Sequence, residues 1–318
     1  MKRPRDALST ALAGWNRFWF EEVSTAPLAV FRIAFGLIVF FWTLSLLPQL
    51  SPFFTKGGIL PSQPHYSGDL REAWGLLGIF PSKTAVVIVW AALLVASIAL
   101  IIGLFSQLAA AVTFVALMSF ERRNPYVFNS GDVLMRVIAF YLIFAPTSVS
   151  LSVRRLLSDR ADFWAFPTRS AWPMRLLQVQ FSAVYLFAVW AKVRGITWNN
   201  GTAVSYALRI TDLERFPVPS FITHSLLITN LLTFGTLVIE LSLAILVWNR
   251  RLRPWVLLAG LSLHLGIEYS VRVGFFGISI LSMYLLWVPP ERMEAVLLAL
   301  RRRISRTPAP VAAPSAGP

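Results

Sequence analysis

Seven ionisable residues lie within, or at the ends of, long apolar runs, where a charge is costly. They are Arg32, Asp132, Arg136, Lys192, Glu240, His264 and Glu268. A charge at the centre of a bilayer costs about 2.5–3.5 kcal/mol on insertion scales, so such residues pair inside a bundle or carry a function. They are the candidates for chemistry in this chain. We expect them to gather around one shielded cavity.

Lys192 is the sharpest of these candidates. It ends the apolar run 184–191, and Arg194 follows two residues later. Burial and a neighbouring cation both disfavour the charged ammonium, and a lysine that is partly neutral can act as a general base. A lysine at a helix end can also extend toward the membrane surface without any chemical role. The spacing leaves both interpretations open.

Two pairs of charged residues are four positions apart, which places each pair on one helix face. Asp132 and Arg136 form one such pair, and Glu268 and Arg272 form the other, with His264 one turn before Glu268. His264 and Glu268 supply two metal ligands, but no third is near in sequence and the HExxH arrangement is absent. The pattern predicts no metal site. It leaves His264 as a packed histidine or as a proton-transfer residue.

Glu240 lies deep in an apolar run without a charged residue one turn away. A buried carboxyl group must either meet a cation from another helix or stay protonated. We predict a structural pair inside the bundle, with Arg32 or Arg136 as the partner.

Composition indicates the kind of protein that positions these residues. The chain is 56% hydrophobic and 14% charged, with a mean hydropathy of +0.65, which is typical of spans and loops rather than of one water-soluble core. The net charge is +14, but most Arg residues flank apolar runs, so we predict membrane lipids as partners and no nucleic acid. The absence of Cys excludes disulfides and thiolate chemistry.

A spanning helix needs about 20 mainly apolar residues. The sequence predicts an all-α, polytopic transmembrane bundle of about eight spans. The apolar runs 84–120 and 255–287 are too long for one crossing, so we divide them near 103–107 and 270–274. The other predicted spans are residues 27–47, 132–146, 176–191 and 226–248. A basic surface helix is predicted at 291–304, an amphipathic piece near 69–77, and a disordered tail from Arg306.

The distribution of basic residues predicts the orientation. With both termini on the cytoplasmic side, the inner segments hold 17 Lys and Arg and the outer segments hold 10, which agrees with the positive-inside rule. We therefore predict a cytoplasmic segment at 1–26, the bundle at 27–288, and a cytoplasmic helix and tail at 289–318. The predicted location is a bacterial inner membrane.

Several segments, read in order, resemble the HTTM family, the membrane domain of vitamin K-dependent gamma-glutamyl carboxylases and their short bacterial relatives. Those segments are Ala29–Gly36, Arg123–Arg136, Tyr185–Lys192, Trp198–Gly201 with Tyr206, Glu240, and His264 ahead of Phe275–Gly277. The resemblance extends over roughly residues 20–290.

The resemblance implies a bundle of about eight helices with a pocket that opens to the lumen or periplasm. In the carboxylases, the lysine at the position of Lys192 is the base that deprotonates reduced vitamin K. His264 of this chain matches a histidine of the family's pocket. We therefore take Lys192, His264 and Glu268 as catalytic candidates. Pocket candidates are Asn129, Asp132, Arg136, Trp198, Tyr206 and Glu240.

This chain also departs from the carboxylases, which carry a histidine where it reads Asn129–Asp132. We predict a membrane protein whose polar, outward-opening pocket binds a quinone or a lipid, with a small secreted or membrane protein as a further partner. The alternative is a quinol-dependent, carboxylase-like or oxidoreductase-like enzyme with Lys192 as base. A transporter is a third alternative, although no inverted repeat with paired broken helices is visible.

Overall fold

A computed structural model describes residues 4–60, 75–159 and 162–304. In these ranges the fold is helical apart from two short strands that pair antiparallel, β1 (Glu22–Ser24) and β2 (Thr168–Ser170). The α-helices in chain order are α1 Pro4–Phe20, α2 Ala26–Ser45, α3 Leu50–Phe54, α4 Leu76–Ile79, α5 Lys83–Ile102, α6 Ser106–Arg123, α7 Ser130–Ile143, α8 Val153–Asp159, α9 Trp172–Lys192, α10 Ile196–Asn199, α11 Ala203–Leu208, α12 Ser220–His224, α13 Leu226–Ile245, α14 Arg253–Ser270, α15 Phe276–Ser282 and α16 Pro290–Ile304. Short 3₁₀ turns extend α13 over Leu246–Trp248 and α15 over Met283–Trp287.

Four helical segments are long and apolar enough to cross a membrane. They are Ala26–Phe54, Lys83–Ile102, Trp172–Lys192 and Leu226–Trp248. The segment Phe276–Trp287 is apolar but shorter. The predicted all-α class is therefore confirmed for the described residues, and the four spans indicate a membrane protein.

The surface of these helices is apolar, as an environment of lipid requires. On α13, Leu231 and Val238 are each 65% exposed, and on α5 Val95 is also 65% exposed. Large contiguous apolar surface is rare on water-soluble monomers and marks contact with a membrane or a partner. The bundle therefore has a lipid-facing surface as well as a packed core.

The sequence prediction of where the two longest apolar runs divide is confirmed. The first run breaks between Ile102 and Ser106, where Gly103 has φ 73° and Phe105 has φ 47°. The second breaks between Ser270 and Phe276, around Gly274 at φ 63°. Left-handed residues end a helix and reverse the chain, so each run forms two antiparallel helices.

Gly103 tests how closely this turn is packed. A Cβ atom there would lie 2.4 Å from the Arg32 guanidinium and 2.5 Å from Ser152 Cβ, and the left-handed backbone itself costs a non-glycine residue about 1–2 kcal/mol. We expect Gly103→Ala to lower the thermal midpoint of the purified protein. Gly266→Ala is the control, because nothing lies within 4 Å of its Cβ position and alanine is favoured in a helix. Equal midpoints for the two variants would contradict the packing at Gly103.

Contacts at the helix ends show how the segments alternate in direction. At one end, Trp42 near the end of α2 donates to Asp132 at the start of α7. At the other, Arg32 near the start of α2 donates to the carbonyl of Thr147, just after α7. The two helices are therefore antiparallel. Arg32 is fully buried, and its guanidinium ties α2 to the chain after α7.

The end of the bundle that holds Arg32 also gathers the N- and C-terminal elements. Strand β1 follows α1 and pairs with β2 ahead of α9, and Ser24 of β1 donates to Glu294 of α16. The predicted surface helix at 291–304 is confirmed as α16. The tail from Arg306 and most of the piece near 69–77 lie outside the described residues.

Helix α9 begins at Trp172, four residues before the predicted start, because the prediction left Arg175 in the preceding basic connection. Pro173 suits a first helical turn. The Arg175 guanidinium faces α1, where it donates to the Phe18 carbonyl and lies over its ring. A charge directed at a neighbouring helix end does not prevent helix formation.

Candidate functional site

The central feature of the site is an ion pair between α9 and α13. Lys192 Nζ lies 2.6 Å and 2.7 Å from the two carboxylate oxygens of Glu240. The lysine side chain is 23% exposed and the glutamate side chain 9% exposed. The prediction that Glu240 pairs with Arg32 or Arg136 is wrong, because the partner comes from the end of α9. Both carboxylate oxygens accept from the ammonium, so Lys192 has a counter-ion that its own helix does not supply.

An aromatic ring covers the lysine. Lys192 Nζ lies 5.3 Å from the centroid of the Trp198 ring, within cation–π range. Trp198 belongs to α10, which follows the turn at Gly195. Arg194 does not crowd the ammonium, since its guanidinium stacks over Trp190 at 4.2 Å. Arg194, the cation that the sequence places near Lys192, therefore lies over a different ring from the one that covers the lysine.

A buried histidine and tyrosine lie beside the ion pair. His264 Nε2 of α14 is 2.7 Å from the Tyr185 hydroxyl of α9, and both residues are at most 3% exposed. Tyr185 lies about two helical turns before Lys192 on α9, and His264 lies on α14, which packs against α13. The four residues therefore form one cluster between α9, α13 and α14. His264 Nδ1 is buried without a hydrogen-bond partner among the described residues.

Glu268, the third catalytic candidate, belongs to a separate contact. Its carboxylate pairs with Arg215 at 3.0 Å and packs against Gly277, where a Cβ would lie 2.3 Å from Oε1. Arg272, which lies four positions after Glu268, donates its backbone amide to the Leu213 carbonyl. Glu268 therefore holds the loop before α12 against α14. Within the described ranges, no group of three or more His, Asp and Glu residues is placed to hold a metal ion.

Asn129 and Asp132 form the N-terminal cap of α7. The Asn129 side chain accepts from the Gly131 amide, and Asp132 Oδ2 accepts from the Asn129 amide at 2.7 Å, a capping box. Asp132 Oδ1 accepts from the Trp42 indole at 2.6 Å. One carboxylate oxygen thus caps α7, and the other joins α7 to α2.

Arg136 pairs with Glu121 of α6 at 2.6 Å, so the predicted pairing of Asp132 with Arg136 is wrong. Glu121 was not among the candidates, because the predicted apolar run ends at residue 120. In the structure α6 continues to Arg123, and the Glu121 side chain is only 7% exposed. The signal that could have found it is the absence of Pro or Gly between the apolar run and Asn124.

Tyr206 lines a cavity of about 180 Å³ that the short helices α11 and α12 form with the start of α13. The other lining residues are mostly polar: Thr202, Ser205, Arg209, Thr223, His224, Leu226 and Thr229. Of the nine predicted site residues, only Tyr206 lines it. Thr229 and Glu240 are both on α13, and eleven residues of helix separate them by about 16 Å. The structure thus distributes the candidates over several contacts rather than around one cavity.

These features define a helical membrane protein with a buried charged cluster between α9, α13 and α14. The model of one family, described as the HTTM domain, matches residues 70–291. The chain therefore belongs to the HTTM-domain family. The match covers most of the segments on which the sequence resemblance rests, although Ala29–Gly36 precedes it. Comparisons with curated proteins and with solved structures found no match.

Proposed function

We propose that the chain crosses a bacterial inner membrane eight times, with both termini in the cytoplasm. The eight passes would be α2, α5, α6, α7, α9, α13, α14 and α15 with its 3₁₀ extension. The alternating helix ends and the turns at Gly103 and Gly274 support this arrangement. The excess of Lys and Arg in the segments assigned to the inside supports the orientation.

The function we propose is binding the polar head of a quinone or a lipid at the Lys192–Glu240 pair. One observation carries this proposal: Lys192 is partly exposed and lies against the Trp198 ring. In the same cluster, His264 Nδ1 has no hydrogen-bond partner among the described residues. An ammonium has three N–H donors, so it can serve both Glu240 and one further acceptor. Trp198 offers a ring face on which a flat ligand can stack.

The residues fit a quinone head in their chemistry. Lys192 Nζ would donate to a carbonyl oxygen, Trp198 would stack on the ring, and His264 Nδ1 would supply the second polar contact. The cavity of about 180 Å³ that Tyr206 lines is a separate feature, about 16 Å along α13 from Glu240, so it does not supply room for a chain at the ion pair. An isoprenoid or acyl chain would therefore extend along the lipid-facing helices instead of entering the protein.

The buried pair of His264 and Tyr185 favours a second candidate, a quinol-dependent or carboxylase-like enzyme. A quinol, when bound, would supply reducing equivalents. Lys192 can act as a base only in its neutral form, so a proton must first pass from Nζ to the Glu240 carboxylate that it touches. His264 would then hold or move a proton through its hydrogen bond to the Tyr185 hydroxyl.

Mass spectrometry of molecules that co-purify in mild detergent tests the proposal. We expect the wild-type protein to retain a quinone or a specific lipid, and Trp198→Leu to retain at least tenfold less, a difference of about 1.4 kcal/mol. This variant leaves both members of the ion pair in place. Arg194→Gln is the control, since it changes an exposed residue that stacks on another ring.

Equal retention by Trp198→Leu and the control would refute binding at this centre. Chemical conversion of an added quinol by the wild type, abolished in Lys192→Met, would favour the enzyme instead.

A further inference from the structure

A second pocket lies at the opposite end of the bundle from Trp198. It has a volume of about 230 Å³ and is lined by Gln107, Pro146, Ser148, Val149, Arg154, Arg155 and Arg169. Three of the seven lining residues are cationic and none is acidic. Arg32 contacts the same loop. It donates to the carbonyls of Thr147 and Ser150, which flank the lining residues Ser148 and Val149. The pocket is therefore at the end of the bundle that gathers β1, β2 and α16.

The arginine side chains are held in place by the protein. Arg155 donates through Nη1 to the Val149 carbonyl at 2.8 Å and through Nε to the Asp162 carbonyl at 3.1 Å. Arg154 lies over the Phe105 ring at 5.9 Å. These contacts fix the guanidinium groups near the cavity and leave N–H donors for a ligand.

Two carboxylates lie near this set, Asp162 and Glu22, and each has another partner. Glu22 accepts from the Thr168 hydroxyl, next to Arg169. The Asp162 carboxylate pairs with Arg301 of α16, and its pKa is lowered by the Trp164 backbone amide first and by Arg301 next. Arg155 also contributes to that lowering. Asp162, shared between Arg155 and Arg301, and Glu22 together do not neutralise the three pocket arginines and Arg301, so the pocket keeps a net positive charge.

Apolar residues next to the pocket face outward. Phe105 and Leu108, on either side of Gln107, are 57% and 65% exposed, and Phe144, two residues before Pro146, is 44% exposed. A free phosphate would gain nothing from such a border. An acyl chain would cover it.

We propose that this pocket binds the phosphate headgroup of an anionic phospholipid, with the acyl chains on the apolar border. Guanidinium groups bind phosphate oxygens through paired N–H donors. Basic pockets between helices at a membrane surface suit anionic headgroups. The site is distinct from the Lys192 centre, so it holds even if no quinone binds there.

Native mass spectrometry of the full chain in detergent tests this proposal with mixtures of phosphatidylglycerol, cardiolipin and phosphatidylcholine. We expect the wild type to prefer the two anionic lipids. The variant Arg154→Gln, Arg155→Gln, Arg169→Gln should retain them at least about tenfold less, since each basic group near an anionic lipid contributes to its binding. If that variant unfolds, Arg169→Gln alone should still fold and reduce retention, because among the described residues the Arg169 side chain donates only to the adjacent Thr168 carbonyl.

The control is Arg251→Gln, Arg302→Gln, Arg303→Gln. Like the pocket variant, it removes three positive charges, but from exposed residues at this end of the bundle. We expect it to keep the wild-type preference. An equal loss in the control would show a diffuse charge effect, and an unchanged pocket variant would show no site. Displacement of the lipid by inorganic phosphate at equal concentration would show a free-anion site. Each of these results would overturn the proposal.

Discussion

Replacing Glu240 with glutamine is expected to lower the free energy of unfolding by about 3 kcal/mol, because it leaves the Lys192 ammonium without its counter-ion. Removing one partner of a buried pair generally costs about 3–5 kcal/mol. The lower end applies here, since the lysine side chain is 23% exposed. Lys192→Met should have a comparable cost, because the Glu240 carboxylate then remains among apolar helices.

A double-mutant cycle measures the contact itself. Lys192→Met with Glu240→Leu removes both charges, and we expect it to be clearly more stable than the sum of the single losses, because no isolated ion is left. Chemical unfolding in detergent followed by tryptophan fluorescence supplies the free energies. Arg194→Met is the control for removing a charge near the end of α9. Additive losses would show that Lys192 and Glu240 do not interact.

The ion pair also explains which part of the site could be predicted. The cost of burying a charge marks Lys192 and Glu240 from sequence alone. Their partnership does not follow, because spacing reveals neighbours only within one helix. The packing of α9 against α13 brings together residues that are 48 positions apart. For the same reason Arg136 pairs with Glu121 of the adjacent helix instead of with Asp132, which caps its own helix.

The fold was more predictable than the site, because a membrane restricts the length of an apolar helix. Apolar run lengths alone placed the breaks near Gly103 and at residues 270–274. The short helices α10, α11 and α12, between the predicted spans 176–191 and 226–248, were not foreseen. Helices of four to six residues have too few positions to show a period, and tertiary packing rather than propensity stabilises them. The cavity that includes Tyr206 is formed by these same elements, so it could not be foreseen either.

Arg32 provides the second large expected effect, and it concerns the fold rather than the ligand. Its guanidinium is fully buried and donates to the carbonyls of Thr147 and Leu151 at 2.7 Å, and to those of Ser150 and Ile101 at 3.4 Å. Each buried acceptor left unsatisfied costs about 1–3 kcal/mol. We therefore expect Arg32→Met to destabilise the protein by at least about 3 kcal/mol.

Arg32→Lys separates the loss of hydrogen bonds from the loss of charge. A lysine keeps the positive charge, but its three donors radiate from a single nitrogen and cannot reach carbonyls on both sides of a planar fork. It should therefore recover only part of the stability lost in Arg32→Met, as measured by thermal unfolding in detergent. Arg251→Met, at an exposed position in the turn before α14, should behave as wild type. If Arg32→Lys were fully stable, charge alone would suffice at this position. If Arg32→Met and Arg251→Met had the same stability, the Arg32 guanidinium would not be the group that joins α2 to the end of α5 and to the turn after α7.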